Sequence, residues 1–266
     1  MRKQRGAAGS RAKALSLGTS GIILFFLIWE ATPRLGLVSE QYLPPASEVL
    51  GQLGLYLAQA AFWHDVGDTM ASWALGLLIA TVAAIVLGLL IGSSRFLRRA
   101  THTTIEFLRP IPSVALIPLA VLIFGTKIES TLLLVVYASF WQVLLQLLYG
   151  INDIDAVAND TAKSYGLGRL ARIRYVVWPT ALPYLMTGLR LAAAVALILA
   201  ITAELIIGTP GLGKQIALTQ SGGAISSMYA LVLATGMIGV LINLAARIVE
   251  KRVLSWHPSV RGEVVL

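Results

Sequence analysis

A glycine-rich segment towards the C-terminal end of the chain has the residue types of a phosphate-binding loop. Residues 208–215 read Gly-Thr-Pro-Gly-Leu-Gly-Lys-Gln, and backbone amides in such a segment could cradle phosphate oxygens. A phosphate loop needs Ser or Thr after the lysine to hold magnesium, and it follows a strand. Here Gln215 stands after the lysine, and a long apolar run comes before the segment. We therefore predict a loop that binds no nucleotide.

Glu204 stands alone in the apolar run that precedes this segment. A carboxylate in such a run is a functional candidate by default, but structural pairing explains it equally well, and the sequence leaves both readings open. The three histidines, His64, His102 and His257, lie in different regions, and the chain has no cysteine. No metal site, thiol nucleophile or nucleophile–base pair is indicated, so we expect no enzyme.

The composition indicates that most of the chain lies in lipid. Hydrophobic residues make up 57% of the chain and charged residues 13%, and the mean hydropathy is +0.78. Soluble domains carry about 25% charged residues, so this chain has too little charge to cover a water-facing surface. The net charge of +8 comes from short basic clusters between apolar runs, which is typical of membrane topology and not of nucleic-acid binding.

Six apolar segments are long enough to be membrane-spanning helices, which need about 20 residues each. They are roughly Leu15–Pro33, Thr69–Ile91, Pro110–Phe124 with its flanks, Ser130–Leu148, Tyr184–Ile207 and Met228–Ala246. The third contains Pro110, Pro112 and Pro118, and we expect a kinked span packed inside the protein.

The basic residues indicate which side of the membrane each loop faces. With six spans, 18 of the 21 Lys and Arg residues fall in the N-terminus, the second loop, the fourth loop or the C-terminus. The other three are Arg34, Lys127 and Lys214. Lys and Arg gather on the cytoplasmic side, so we predict that both termini are cytoplasmic.

The long loop between spans four and five has the pattern of two short helices joined at a glycine. Asn159 or Asp160 is a suitable N-cap, and Gly166 is a suitable left-handed terminator. A second helix should follow and end at Pro179 and Pro183. Its apolar stripe would contain Leu167, Leu170, Ile173 and Val177. Such a bend could dock another protein or could be an ordinary interfacial linker.

This loop resembles the signature of permeases in bacterial ATP-binding-cassette (ABC) importers. That signature is Glu-Ala-Ala, three residues, Gly, nine residues, then Ile-x-Leu-Pro. Asp160, Thr161 and Ala162 take the first places, Gly166 follows three residues later, and residues 176–179 read Val-Val-Trp-Pro after nine more. The spacing is intact although four residue types differ. Asp160 is shorter than glutamate and could pair differently with a partner.

Other segments resemble the nitrate, sulfonate and taurine branch of that family, in the same order along the chain. They are residues 43–50, the proline-rich segment 109–118, residues 182–190, residues 203–205 and the Gly-Leu-Gly at 211–213. The resemblance covers nearly all of residues 40–255.

The resemblance implies an all-α integral membrane protein of the inner membrane that works with other chains. Two permease copies would form the pathway, two ATPase subunits would use ATP and magnesium, and an extracytoplasmic binding protein would deliver cargo. This chain would bind no cofactor or metal. Implied ATPase-coupling residues are Asp160, Thr161, Ala162, Tyr165, Gly166, Arg169 and Pro179. Candidate pathway or gate residues are Pro112, Pro118, Glu204, Gly211 and Gly213.

We expect a basic cytoplasmic tail at residues 1–14, one permease domain at 15–250 with its coupling loop at 152–183, and a cytoplasmic tail at 251–266. The cargo implied by the branch is a sulfonate, taurine, nitrate or similar solute. A vitamin precursor of the thiamine-pyrimidine or riboflavin type is an alternative cargo. An ATP-independent secondary transporter is a rival of a different class.

Overall fold

A computed structural model describes the backbone of residues 2–256, with the side chains of residues 16–168 and 170–256. Met1 and residues 257–266, which include most of the expected C-terminal tail, lie outside the described part. Every regular element in the described part is helical. The α-helices are α1 Arg2–Arg34, α2 Ala46–Leu57, α3 Ala60–Ser93, α4 Arg95–Leu108, α5 Ile117–Phe124, α6 Ile128–Asn152, α7 Ala156–Ser164, α8 Arg169–Arg172, α9 Trp178–Ile207, α10 Leu212–Ser221 and α11 Ile225–Val253. A 3₁₀ turn, Ser113–Leu116, precedes α5, and a π-helical turn, Ile173–Val177, precedes α9.

The all-helical membrane fold expected from the sequence is confirmed. Five helical segments are long and apolar enough to cross a membrane, and they contain five of the six expected spans. They are Ser16–Arg34, Ala60–Ser93, Ile128–Asn152, Leu170–Ile207 and Ile225–Val253. The remaining candidate is a bent pair, Arg95–Leu108 and Ser113–Phe124, with an angle of 83° between its halves.

The bend in the third candidate span has its cause in the prolines. Pro110 lies in the break after α4, and Pro112 precedes the 3₁₀ turn, where their missing N–H groups interrupt no helix. The sequence predicted that this span is packed inside the protein, and this is true of only one face of α5. Ile117 and Ala120 are buried, whereas Leu122 is 83% exposed in the single chain.

The chain divides into two compact units, of which the first contains residues up to Ala60 together with Leu218–Ala234. In this unit the Trp29 indole N–H donates to the Pro44 carbonyl oxygen at 3.0 Å. The Glu30 carboxylate accepts from the backbone N–H and the hydroxyl of Ser47 at 2.8 and 2.9 Å. Because Ser47 lies in the first turn of α2, Glu30 supplies an acceptor for an otherwise free N–H at that helix end.

The second unit, Ala61–Ala217 with the chain from Thr235 onwards, has α6 and α9 at its centre. In an apolar stretch of 18 residues in α6, half of the residues are buried, and the same holds for the segment Leu170–Ile207 that contains α9. Glycines allow the two helices to approach closely: a Cβ on Gly188 would lie 2.9 Å from the Gln146 Cβ, and one on Gly150 would lie 2.9 Å from the Ala181 Cα. Small residues at a helix crossing are typical of membrane proteins, where packing drives association.

Helix α3 presents small residues to α6 at every fourth position. Gly76, Ala80, Ala84 and Gly88 are all buried. A Cβ on Gly76 would lie 2.5 Å from Val135, and one on Gly88 would lie 2.6 Å from Leu147. This spacing of four places one stripe of the helix against its neighbour.

The beginning of α9 differs from the sequence prediction. Pro179 and Pro183 do not end a helix: Pro179 lies in the first turn of α9, and Pro183 lies within it. The π-helical turn just before them, closed by the Trp178 N–H donating to the Ile173 carbonyl, widens the backbone there. Such a turn accommodates a proline without breaking the segment, so Leu170–Ile207 forms one long helical segment.

Candidate functional site

The first candidate site is the loop around α7. This helix begins earlier than predicted, because its N-cap is Asp155, not Asn159 or Asp160. The Asp155 carboxylate accepts from the Val157 N–H at 2.8 Å, which satisfies one of the free donors of the first turn. Asp160 therefore lies inside the helix, and its carboxylate contacts the Lys163 ammonium at 2.7 Å. The hydrogen bond from Lys163 lowers the pKa of the exposed Asp160 carboxyl and so favours its ionised form.

Gly166 ends α7 in the left-handed conformation, as predicted. Its φ is +72°, a value that residues with a Cβ rarely adopt. The Leu167 N–H donates to the Ala162 carbonyl at 3.0 Å, and the Gly166 N–H donates to the Lys163 carbonyl at 2.9 Å. These two bonds form a Schellman motif, which fixes the direction in which the chain leaves the helix.

The loop exposes large side chains and buries a small one. Val157 is 72% exposed, Tyr165 82% and Leu170 84%, whereas Ala162 is only 7% exposed. Leu170, which the sequence placed on the inward stripe of the second helix, therefore points away from the chain. Three large side chains are thus exposed within fourteen positions of this loop.

The remaining expected coupling residues are also on this loop. Thr161 is exposed beside Asp160, and Pro179 is half-buried in the first turn of α9. Arg169 begins α8, but its side chain lies outside the described part. Pro179 borders a cavity of about 520 Å³ that also contacts Asp153 and Tyr184. The Tyr184 hydroxyl donates to the Asp153 carboxylate at 2.7 Å across this cavity wall.

The second candidate site surrounds Glu204 in the penultimate turn of α9. Glu204 is completely buried, and its Oε2 accepts from the Thr69 hydroxyl at 2.8 Å and from the Gly213 N–H at 3.0 Å. The Thr69 oxygen in turn accepts from the Leu212 N–H at 2.9 Å. The other carboxylate oxygen, Oε1, is buried and has no hydrogen-bond partner among the described residues.

Gly211 and Gly213 let the loop after α9 lie directly on this carboxylate. Gly211 has a φ of +141°, and a Cβ there would lie 2.4 Å from the Glu204 carboxyl carbon. A Cβ on Gly213 would lie 2.2 Å from the Ile201 carbonyl oxygen. Both approaches are too close for any side chain, so these positions require glycine. Three of the five predicted gate residues are thus brought together.

The other two predicted gate residues, Pro112 and Pro118, are exposed at the start of the 3₁₀ turn and of α5. Their neighbours Ile117 and Ala120 pack in one core cluster with Ala200 and Ala203 of α9. The proline-rich segment therefore lies beside the end of α9, while its prolines themselves do not enter the Glu204 cluster.

The Glu204 cluster is consistent with the prediction that the glycine-rich loop binds no nucleotide. An anion is favoured at a helix N-terminus because the first N–H groups have no partner in the helix. At the start of α10, the Leu212 N–H already donates to the Thr69 hydroxyl oxygen, and the Gly213 N–H already donates to the Glu204 carboxylate. The protein's own carboxylate occupies the place a phosphate would take. No group of three potential metal ligands exists among residues 2–256.

Thr69 is the functional candidate that the sequence did not reveal. It lies 135 positions from Glu204, in a span where a threonine carries no distinguishing pattern. Asp155 was missed for another reason: the start of α7 was placed four to five residues too late, although an aspartate before Ala-Val is an acceptable cap signal.

Helix α9 joins the two candidate sites. It has 30 residues, which corresponds to about 45 Å at the rise of an α-helix. The α7 loop precedes its first turn, and Glu204 lies near its last turn. The chain is thus a helical multi-pass membrane protein in which one long helix connects an exposed inter-span loop to a tightly packed loop at its far end.

Comparison with known proteins identifies the family. A family model described as "Binding-protein-dependent transport system inner membrane component" matches residues 84–255, and the chain belongs to this family. The chain is 32% identical over 261 residues to the taurine transport system permease protein TauC of Escherichia coli, covering 95% of this chain and 93% of that protein. It is 26% identical to the nitrate import permease protein NrtB of Leptolyngbya laminosa, covering 74% and 70%.

Solved structures show the same fold at low sequence identity. The MetNI methionine ABC transporter in an inward-facing conformation matches with a TM-score of 0.63 at 19% identity, covering 73% of this chain and 96% of that chain. A bacterial ABC transporter involved in alginate import matches with a TM-score of 0.63 at 18% identity, covering 91% and 96%. The chain is thus an ABC importer permease of the bacterial inner membrane, and its relatives are named as permeases, not enzymes.

Proposed function

We propose that this permease carries a small solute of the sulfonate, taurine or nitrate type across the inner membrane, driven by a separate ATPase. The observation that carries the substrate class is the similarity over almost the whole chain to TauC, together with the similarity to NrtB. A vitamin precursor is the alternative cargo. A thermal-shift screen of the cognate binding protein with taurine, nitrate and a thiamine pyrimidine tests the choice, and stabilisation by the pyrimidine alone would contradict it.

The α7 loop is the part that we propose docks on the ATPase. Val157, Tyr165 and Leu170 offer exposed apolar surface, and the Schellman motif at Gly166 holds the bend in one direction. The buried Ala162 packs α7 on its own chain, so movement of α7 would be passed to the rest of the loop. Because the π-helical turn and α9 follow without a break, a displacement of the loop would tilt α9 as a rigid body.

The far end of α9 is the proposed outer gate. Glu204 and Thr69 fasten the loop at residues 208–213 to both α9 and α3. A tilt of α9 would therefore carry this loop with it. In this proposal the α7 loop and both termini are cytoplasmic, the loop at residues 208–213 faces outward, and two copies of the permease enclose the pathway.

A docking experiment tests the central step. Tagged permease in mild detergent is used to capture its ATPase, and Tyr165→Ala is expected to weaken the complex about tenfold, as the loss of an exposed aromatic anchor does. Tyr42→Ala is the matched control, because Tyr42 is a comparably exposed tyrosine (71%) on a different loop. Equal capture by the Tyr165 and Tyr42 variants would overturn the assignment of the α7 loop.

A transport assay separates the rival class. Permease and ATPase are reconstituted together in liposomes with the binding protein and labelled solute. Uptake should require ATP and should not respond to an ion gradient. Uptake by the permease alone under an ion gradient would identify a secondary transporter instead.

A further inference from the structure

A cavity of about 550 Å³ lies between the end of α3, α4 and the end of α6. Its walls have two characters. Ile91, Leu145 and Leu148 contribute apolar surface, while Arg98 and Arg109 contribute two guanidinium groups. The volume is sufficient for a phosphodiester headgroup with the first part of an acyl chain.

Arg98 is held in place inside this cavity. One of its terminal nitrogens donates to the Gly92 carbonyl at 3.0 Å, and the other donates to the Asn152 side-chain oxygen. Its third donor, Nε, is buried and has no partner among the described residues. A guanidinium has five N–H donors, so the terminal nitrogens of Arg98, held by these two bonds, each keep one further N–H for an anion with several acceptor oxygens.

The charge of the lining is positive. Its one carboxylate, Glu106, lies 3.4 Å from the His102 ring, while Arg109 is exposed at the end of α4. Arg98 and Arg109 therefore outweigh Glu106 whether or not His102 is protonated. A phosphate group entering the cavity would be attracted by this net charge.

Helix α4 has the features of a helix that lies at a membrane surface. No residue of α4 is buried, and Phe96 and Phe107 are 76% and 74% exposed. These two phenylalanines share one face of the helix. Positions 95, 98, 99, 102 and 109 form a basic stripe on another face. A helix with this division places its aromatic face among acyl chains and its basic face at the headgroups.

We propose that this cavity binds the phosphate headgroup of an anionic phospholipid. Arg98 and Arg109 would hold the phosphate oxygens, and an acyl chain would follow Ile91, Leu145 and Leu148. Basic pockets between membrane helices recognise lipid headgroups through this combination. The bound lipid would contact α3, α4 and α6 next to the break at Pro110.

Native mass spectrometry of the full-length permease, assembled with its ATPase in mild detergent, tests the site. The probes are phosphatidylglycerol, phosphatidylcholine and inorganic phosphate. Phosphatidylglycerol should bind selectively, and Arg109→Gln should weaken its binding roughly five- to tenfold. Arg99→Gln is the matched control, because it removes the same charge from an exposed position of α4 outside the cavity.

Arg109→Gln is the deciding variant, because Arg98 also holds Asn152 and its substitution would change packing as well as binding. Equal weakening by Arg99→Gln would indicate diffuse attraction and overturn the proposal. Equal binding of phosphatidylcholine would do the same. Inorganic phosphate bound as tightly as phosphatidylglycerol would identify a free-ion site. If the permease alone bound phosphatidylglycerol and the complex with the ATPase did not, the partner would fill the cavity, and the proposal would be overturned.

Discussion

At the scale of single residues, Glu204 is the most constrained polar group among the described residues. A buried carboxylate without partners is costly, and here Thr69 and the amide of Gly213 reduce that cost. The sequence left a gate role and a scaffold role open. The hydrogen bonds that bury the carboxylate also hold the loop at residues 208–213, which supports the scaffold role, and the gate role stays a prediction. If Glu204 moves together with this loop, its hydrogen bond to the Gly213 N–H stays intact.

Thr69→Val tests this arrangement with little change in side-chain volume. The substitution removes a donor to Glu204 and an acceptor for the Leu212 N–H. The Leu212 N–H is then left without this partner, and Glu204 Oε2 keeps only the Gly213 N–H. We expect the free energy of unfolding in detergent to fall by about 1–3 kcal/mol. Thr202→Val is the control, because the Thr202 hydroxyl is exposed and bonds only the Ile198 carbonyl of its own helix. Equal stability of the two variants would argue against the cluster.

At the scale of the elements, Gly166 determines how α7 ends. A Cβ on Gly166 would meet no atom within 4 Å, so the strain of Gly166→Ala comes from its positive φ alone. We expect a local cost of about 1 kcal/mol and a frayed end of α7. ATP hydrolysis should continue with reduced solute uptake when the variant is reconstituted with its ATPase.

Gly168→Ala is the matched control for Gly166→Ala. Gly168 lies two positions further on the same loop, also has open space around its Cα, and does not have a positive φ. Its uptake-to-hydrolysis ratio should equal that of the unmodified protein. If Gly166→Ala transported as well as Gly168→Ala, a rigid bend would not be needed for coupling.

The crossing of α6 and α9 depends on Gly188. A Cβ there would lie 2.9 Å from the Gln146 Cβ and 3.2 Å from the Gln142 carbonyl oxygen, so Gly188→Ala must push the helices apart. We expect a loss of about 1–3 kcal/mol in the free energy of unfolding. Gly236→Ala in α11 has no atom within 4 Å of its added Cβ and should leave stability unchanged or slightly higher. An SDS titration of both variants measures the difference.

At the scale of the whole molecule, orientation in the membrane is the main remaining prediction. The chain contains no cysteine, so single-cysteine variants need no background substitutions. A membrane-impermeant maleimide added to intact spheroplasts should label Tyr42→Cys and should not label Tyr165→Cys. Both tyrosines are well exposed, so access from outside decides the result. Labelling of Tyr165→Cys from outside would reverse the predicted topology and remove the proposed ATPase docking loop.

The amino-acid sequence by itself determined the membrane environment, the approximate spans, the family resemblance and the glycine terminator of α7. These features follow from runs of apolar residues and from turn chemistry, which act within a few positions along the chain. The same local reasoning failed at Pro179 and Pro183, because a π-helical turn just upstream let the helix continue.

Only the tertiary structure decided which groups hydrogen-bond to Glu204 and which side chains of the α7 loop are exposed. Glu204 meets Thr69 across 135 positions, and no local pattern encodes that contact. Leu170 fits an inward stripe by spacing, yet it is exposed because no neighbouring element covers it. Periodicity shows which residues share a face. Whether that face is covered depends on packing between distant parts of the chain.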